Sequence, residues 1–317
     1  MSIKENKGHE PVQKPACDTG PDKNNMTRNG PSHMAEGIAF NRFSESLKPE
    51  GERICYDPYA VRFISQDTLD FSRRNPDEAR KRWERLNSSL PGVYNSIVAR
   101  VRFFDDIVSS SVDEGIDQIV ILGAGYDTRA YRIEGIKKGM KVFEVDHPVT
   151  QSVKTEKVME IFGSPPDHVV YVPVDLEAEE PGLRLTEMGY DRACRTLFIM
   201  EGLVMYISPH AVERILSFMA KNSGAGSAVI LDYFPQSLVD GTCDLEVGKN
   251  LRKYVEQQGE PIKFGIDDGS IENFLSQRGF SQVRNVTCDD YKRAYFHGKN
   301  ENREVCSLFS FVYAMIG

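Results

Sequence analysis

No stretch of eighteen apolar residues occurs anywhere in this sequence, and its opening segment, MSIKENKGHEPVQKPACDTG, lacks the apolar core of a secretory signal. The expectation is a cytoplasmic protein, neither exported nor spanning a membrane. Lysine and arginine form no run long enough to track phosphates, and the formal net charge is −8 with a pI near 5.4. That balance argues against nucleic acid as a partner. The six cysteines, at 17, 55, 194, 243, 288 and 306, include no CxxC pair, and no histidine stands at metal-ligand spacing. Neither a disulfide framework nor a metal site is expected, and the cysteines read as free thiols. Internal repeats and low-complexity tracts are also missing.

What is present is enough apolar material, 40% of 317 residues, for a substantial core. Residues 1–33 are rich in Lys, Asn, Gly, Pro and Asp and poor in large apolar side chains. Burial there cannot offset the entropy of ordering, so a disordered tail is expected, followed by one domain over 34–317. The stretch 34–91 reads as a helical cap, punctuated at Asp57-Pro58 and Asn75-Pro76. Between Gly92 and Val112, apolar residues recur at three- and four-residue steps (Val93, Ile97, Val101, Phe104, Val108), which predicts an amphipathic helix with Arg100 at the margin of its buried face.

Strand and helix signals then alternate. Gln118–Leu122, Lys141–Val145, Val169–Val174, Thr196–Met200 and Ala228–Leu231 are apolar runs with the character of strands buried on both faces. Helical patterns follow at Pro148–Gly163 and Pro209–Ala220. Residues 235–265 lack a strong period and contain Gly241, Gly248, Gly259 and Pro261, so they read as a lid insertion with a helix at Asp244–Gln258. A short helix at Ser270–Arg278 and two strands, Phe280–Val286 and Cys306–Ala314, antiparallel to one another, complete a seven-stranded, mostly parallel, doubly wound α/β sheet.

Ligands of such sheets bind beyond the carboxyl ends of the strands, where strand order reverses. Those ends carry Gly123-Ala124-Gly125, Asp146, Asp175, Glu201 and Asp232. Glycine lets backbone approach a ligand closely. Asp146 lies 21 residues past Gly125, matching the roughly 20-residue offset of an acid that accepts from ribose hydroxyls. A dinucleotide fingerprint would need a third glycine where this chain has Thr128. A nucleoside ending in an amino acid needs instead a cation for its carboxylate, and Arg100 and Arg129 offer one.

The runs VILGAGYDTRAYRI, VFEVDHP, VPVDL and FIMEGLVMYI, between about Tyr94 and Ser208, resemble the leucine carboxyl methyltransferase family and its microbial relatives, polyketide O-methyltransferases among them. The resemblance implies a Rossmann-like methyltransferase fold with S-adenosylmethionine as cofactor and S-adenosylhomocysteine as product. It further implies that Arg100 holds the methionine carboxylate, Gly123 and Gly125 admit the amino-acid moiety, and Asp146 takes the ribose hydroxyls. Asp175 and Leu176 would frame the adenine, and Glu201 would lie near the methionine end.

Each of these residues also has a structural use. Arg100 could snorkel from its helix, Asp146 could serve a helix start, Asp175 could cap a turn, and Glu201 could pair with a buried arginine. Tyr206 and His147 are candidate acid–base groups, because phenol and imidazole can steer a proton near an oxygen nucleophile. The expected acceptor is a carboxylate or hydroxyl on a small molecule or peptide terminus. A nicotinamide oxidoreductase and a non-catalytic cofactor-binding module are the alternatives.

Overall fold

The computed structural model describes residues 32–136 and 139–317. Apart from Ser32 and His33, the tail expected over 1–33 lies outside the described residues. Seven strands form one sheet: β1 (Gln118–Leu122), β2 (Lys141–Asp146), β3 (Val169–Pro173), β4 (Thr196–Met200), β5 (Ala228–Tyr233), β6 (Phe280–Val286) and β7 (Ser310–Ile316). Their order is β3-β2-β1-β4-β5-β7-β6. The first five run parallel, and β7 runs antiparallel between β5 and β6. Since β1 pairs with β2 on one side and β4 on the other, the order reverses at β1, which opens a crevice at the carboxyl ends there.

The central strands are β-branched and apolar because they are covered twice. Every residue of β1 and β4 is buried. Successive side chains point to opposite faces, so Ile119 and Ile121 join the cluster under one helical layer while Val120 and Leu122 join the other. The first layer is built on α4 (Val93–Asp113), preceded by the cap helices α1 (His33–Ser46), α2 (Gln66–Arg74) and α3 (Pro76–Ser89). Helix α1 begins under an N-cap from Ser32, whose Oγ accepts the Ala35 N–H. Helices α2 and α3 bury no residue.

The crossovers are the single-turn α5 (Arg129–Arg132), α6 (Pro148–Phe162), α7 (Pro181–Glu187) and α8 (Pro209–Lys221). Pro148 and Pro209 stand where helix starts tolerate proline. The segment expected as an insertion holds α9 (Gln236–Asp240) and α10 (Glu246–Gln257), and its ends meet in a parallel bridge between Pro235 and Ile266. Helices α11 (Ile271–Ser276) and α12 (Cys288–Tyr295) flank β6. Among the described residues no helix is long and apolar enough to cross a membrane.

Several boundaries shift by one or two residues, and two differences from expectation are larger. The last strand starts at Ser310 rather than Cys306, because the Cys306 backbone is taken out of the ladder: its N–H donates to Ser96 Oγ at 2.8 Å and its carbonyl accepts from Tyr291 Oη at 3.0 Å. Helix α12, between the last two strands, was not expected from periodicity. Its signal is a capping box in which Thr287 and Asp290 satisfy one another's backbone amides.

Candidate active site

Gly123 and Gly125 leave β1 with φ of +64° and +44°, dihedrals that L side chains adopt at a cost. A Cβ at Gly123 would stand 2.8 Å from Leu203 Cδ1, in the loop after β4. One at Gly125 would meet the Ala35 methyl of α1 at 3.4 Å. The turn is therefore lodged between cap and sheet. Asp146, at the end of β2, accepts the Gly125 N–H and the His147 N–H, so its carboxylate sits against the glycine turn. His147 is the N-cap of α6, its Nδ1 accepting from Val149 N–H at 3.4 Å.

Beyond β3, half-buried Asp175 caps a turn, Oδ1 accepting the Glu177 N–H at 3.0 Å. Leu176 is buried, and its carbonyl accepts from Arg214 at 2.6 Å. The structural use foreseen for Asp175 is thus present, and the residue still stands at the carboxyl edge of the sheet.

Across the crevice runs a buried chain of ion pairs. Arg100, 4% exposed on α4, donates from Nε to Glu201 Oε1 at 3.1 Å and from Nη1 to Asp232 Oδ2 at 2.7 Å. Arg129 donates from Nη1 to Glu201 Oε2 at 2.6 Å, from Nε to Asp105 at 2.7 Å and from Nη2 to the Val101 carbonyl at 3.3 Å. It is also paired with Asp127. Asp105 accepts from Arg132 as well, at 2.6 Å, and Arg132 reaches Thr128, which donates to Asp57. Asp57 accepts from Arg42 Nε at 2.8 Å, and Arg42 Nη2 donates to the Tyr126 carbonyl in the glycine turn. The chain thus links the cap to the ends of β4 and β5.

Burial pushes the Glu201 carboxyl up, but Arg129 and Arg100 outweigh it and hold the group below the usual carboxylate range. For Asp127, likewise buried, Arg129 and Lys154 bring the value down to about 2. Asp232 goes the other way: burial, aided by Glu201, wins over Arg100 and raises it. With all its nitrogens engaged, Arg129 is committed to the network. Arg100 has two engaged nitrogens, and its Nη2 carries no hydrogen bond among the described residues.

Tyr206 lies in the turn Val204–Tyr206 after Glu201, within electrostatic reach of Arg100 and Asp232 and of Glu260. Burial and the nearby Glu260 carboxylate raise its pKa, so it stays protonated at neutral pH. Sequence reading missed Arg42, Asp57, Asp105 and Arg132. Their partners are far apart along the chain, and no local spacing announces them.

A model of the family described as leucine carboxyl methyltransferase matches residues 35–220. A protein of Mycobacterium avium, provisionally named an S-adenosyl-L-methionine-dependent methyltransferase, is 31% identical over 263 residues, which cover 80% of this chain and 86% of that one. The Bacillus subtilis protein YktD, similarly named, is 25% identical over 218 residues, 69% of this chain and 71% of its own. Among solved structures, a provisionally assigned methyltransferase of Thermobifida fusca superposes with a TM-score of 0.56 at 15% identity, covering 76% of this chain and 88% of that one. A DUF574 family protein of Streptomyces avermitilis gives 0.59 at 12% identity, with 90% and 98% covered. These two share the fold. The family model spans the cap, the glycine turn, the strand-end acids of β2 to β4 and helix α8, and the chain belongs to the leucine carboxyl methyltransferase family of S-adenosylmethionine-dependent methyltransferases.

Proposed function

We propose that this methyltransferase acts on oxygen, a carboxylate or hydroxyl of a small molecule or peptide terminus, and that Arg100, Gly123, Gly125, Asp146, Asp175, Leu176 and Glu201 hold its cofactor. The observation that carries the assignment is their convergence on the crevice at the carboxyl ends of β1 to β4, with one guanidinium nitrogen of Arg100 left over from the ion-pair chain. The donor set suits S-adenosylmethionine: a guanidinium for its carboxylate, acids for an ammonium and a ribose diol, and a buried leucine for adenine. When bound, that cofactor supplies an electrophilic methyl on a sulfonium and leaves as S-adenosylhomocysteine. Membership in the family tells against the nicotinamide alternative.

The chain's own part is mainly alignment, because in-line displacement needs nucleophile and methyl held about 3–3.5 Å apart. Tyr206, protonated at neutral pH, is suited to donate to an acceptor oxygen rather than to act as base. His147, occupied in capping α6, is better suited to holding that helix than to moving a proton. Both features favour an acceptor that arrives ionised, which a carboxylate does and an alcohol does not. The cap 34–91 and the insertion 235–265 would close over the acceptor; Ser32 Oγ donates across to Glu260 at 2.7 Å.

Two measurements test this reading. Calorimetric titration should give binding of S-adenosylmethionine and S-adenosylhomocysteine, lost in Asp146→Ala and Arg100→Ala, with no NAD binding. Methyl-tritiated S-adenosylmethionine incubated with enzyme and an extract of small molecules and peptides should yield a labelled product. Release of volatile methanol in mild alkali marks an ester; for an alkali-stable label, mass spectrometry and NMR of the product identify the methylated atom, and oxygen marks an ether. Label on nitrogen or carbon overturns the oxygen assignment, and tight binding without turnover returns the non-catalytic module.

A further inference from the structure

Asp232 is the next-to-last residue of β5 and is 1% exposed. One of its oxygens accepts from Arg100 Nη1 at 2.7 Å and the other from the Gly202 N–H at 2.6 Å. Gly202 directly follows Glu201 and has φ of +63°; a Cβ there would stand 3.3 Å from Arg100 Nη1. A single carboxylate thus ties together the arginine and the backbone beside the arginine's other partner. A guanidinium is planar, so contacts at two nitrogens fix the direction of the third. Glu201 takes Nε and Asp232 takes Nη1, and Nη2 is what remains.

We infer that Asp232 is a positioning residue for the cofactor: with Glu201 it locks the Arg100 guanidinium so that Nη2 faces the amino-acid carboxylate of S-adenosylmethionine. The inference rests on the assignment of Arg100 to that carboxylate. Asp232 touches no part of the ligand in this account and acts only through Arg100. Without it, the guanidinium keeps one anchor and swings about it, and binding loses the benefit of preorganisation. Asparagine at 232 keeps the side-chain shape and an acceptor for Gly202, and removes the charge that holds Nη1.

The test uses three ligands and two substitutions in the full chain. S-Adenosylmethionine and S-adenosylhomocysteine carry the amino-acid carboxylate, whereas 5′-methylthioadenosine keeps the adenosine and thioether and lacks it. Asp232→Asn is expected to weaken the first two by about tenfold and to leave the third within about twofold, a split that general damage to the fold would not produce. Arg100→Lys should show the same split. In the double variant, S-adenosylhomocysteine binding should fall no further than in Arg100→Lys alone, since both changes remove one interaction.

Equal weakening of all three ligands by Asp232→Asn overturns the inference, as does a full additional loss in the double variant. A selective loss in Arg100→Lys with none in Asp232→Asn also overturns it while leaving the assignment of Arg100 standing. No selective loss in Arg100→Lys overturns that assignment itself.

Discussion

Glu45 is the side chain on which the cap is fastened. It is fully buried on α1, where its carboxylate accepts from Arg303 Nη1 at 2.8 Å and Nη2 at 3.0 Å, Lys48 Nζ at 2.8 Å, Ile54 N–H at 2.8 Å and Tyr94 Oη at 2.8 Å. Burial alone would push its pKa up, but Arg303 and Lys48 bring it down to about 2. A carboxyl whose folded pKa is depressed stabilises the fold above its unfolded pKa, and that contribution disappears as pH falls toward the folded value. Glu45→Gln should therefore cost about 3 kcal/mol at pH 7, partly by leaving Arg303 without its counter-charge. The difference in melting temperature from the parent chain should shrink between about pH 5 and pH 2. Melting curves across that range check it; a difference that does not change with pH would mean the carboxylate charge is immaterial.

Helix α1 packs Ala39 and the partly buried Ile38, Phe40 and Phe43 against the core and is also docked by buried polar contacts. Its buried residues are Ala39, Arg42 and Glu45. Arg42 pairs with Asp57 and donates to the Tyr126 carbonyl in the glycine turn, so the helix and the turn share one side chain. Removing one member of a buried pair strands the other charge. Arg42→Met should lower stability by about 3 kcal/mol and speed amide exchange in His33–Ser46 more than in the central strands. It should also weaken S-adenosylhomocysteine binding, because the glycine turn loses a brace. Uniformly faster exchange over the whole sheet would show instead that α1 is no separate unit.

For the whole molecule, the proposed cofactor site is distributed over α4, the glycine turn and three further strand ends, none of which makes it alone. Ligand binding should then be linked to global folding. At one hundred times its dissociation constant, S-adenosylmethionine should add about 2.7 kcal/mol to stability and raise the melting temperature by about 5 °C. NAD at the same concentration should leave it unmoved. Thermal scans with each ligand decide the matter, and a rise with NAD would contradict the cofactor assignment.

The parallel strands were legible in the sequence because strands covered on both faces, as the central ones are, are mostly apolar. The run Gln118–Leu122 is buried at all five positions. Asp146, Asp175, Glu201 and Asp232 could be read as strand-end acids because each terminates such a run. Local chemistry likewise announced α4, α6 and α8 through period and proline.

What the acids do was decided by tertiary structure alone. Arg100 meets Asp232 across 132 residues and Glu201 across 101, and Arg42 reaches Tyr126 across 84. A charge in the sequence states what it can pair with but not which partner the fold will bring within 3 Å. Strand ends declare themselves through the pattern of burial leading up to them; the pairing of buried charges depends on which strands become neighbours, and that order is set by the packing of the whole sheet.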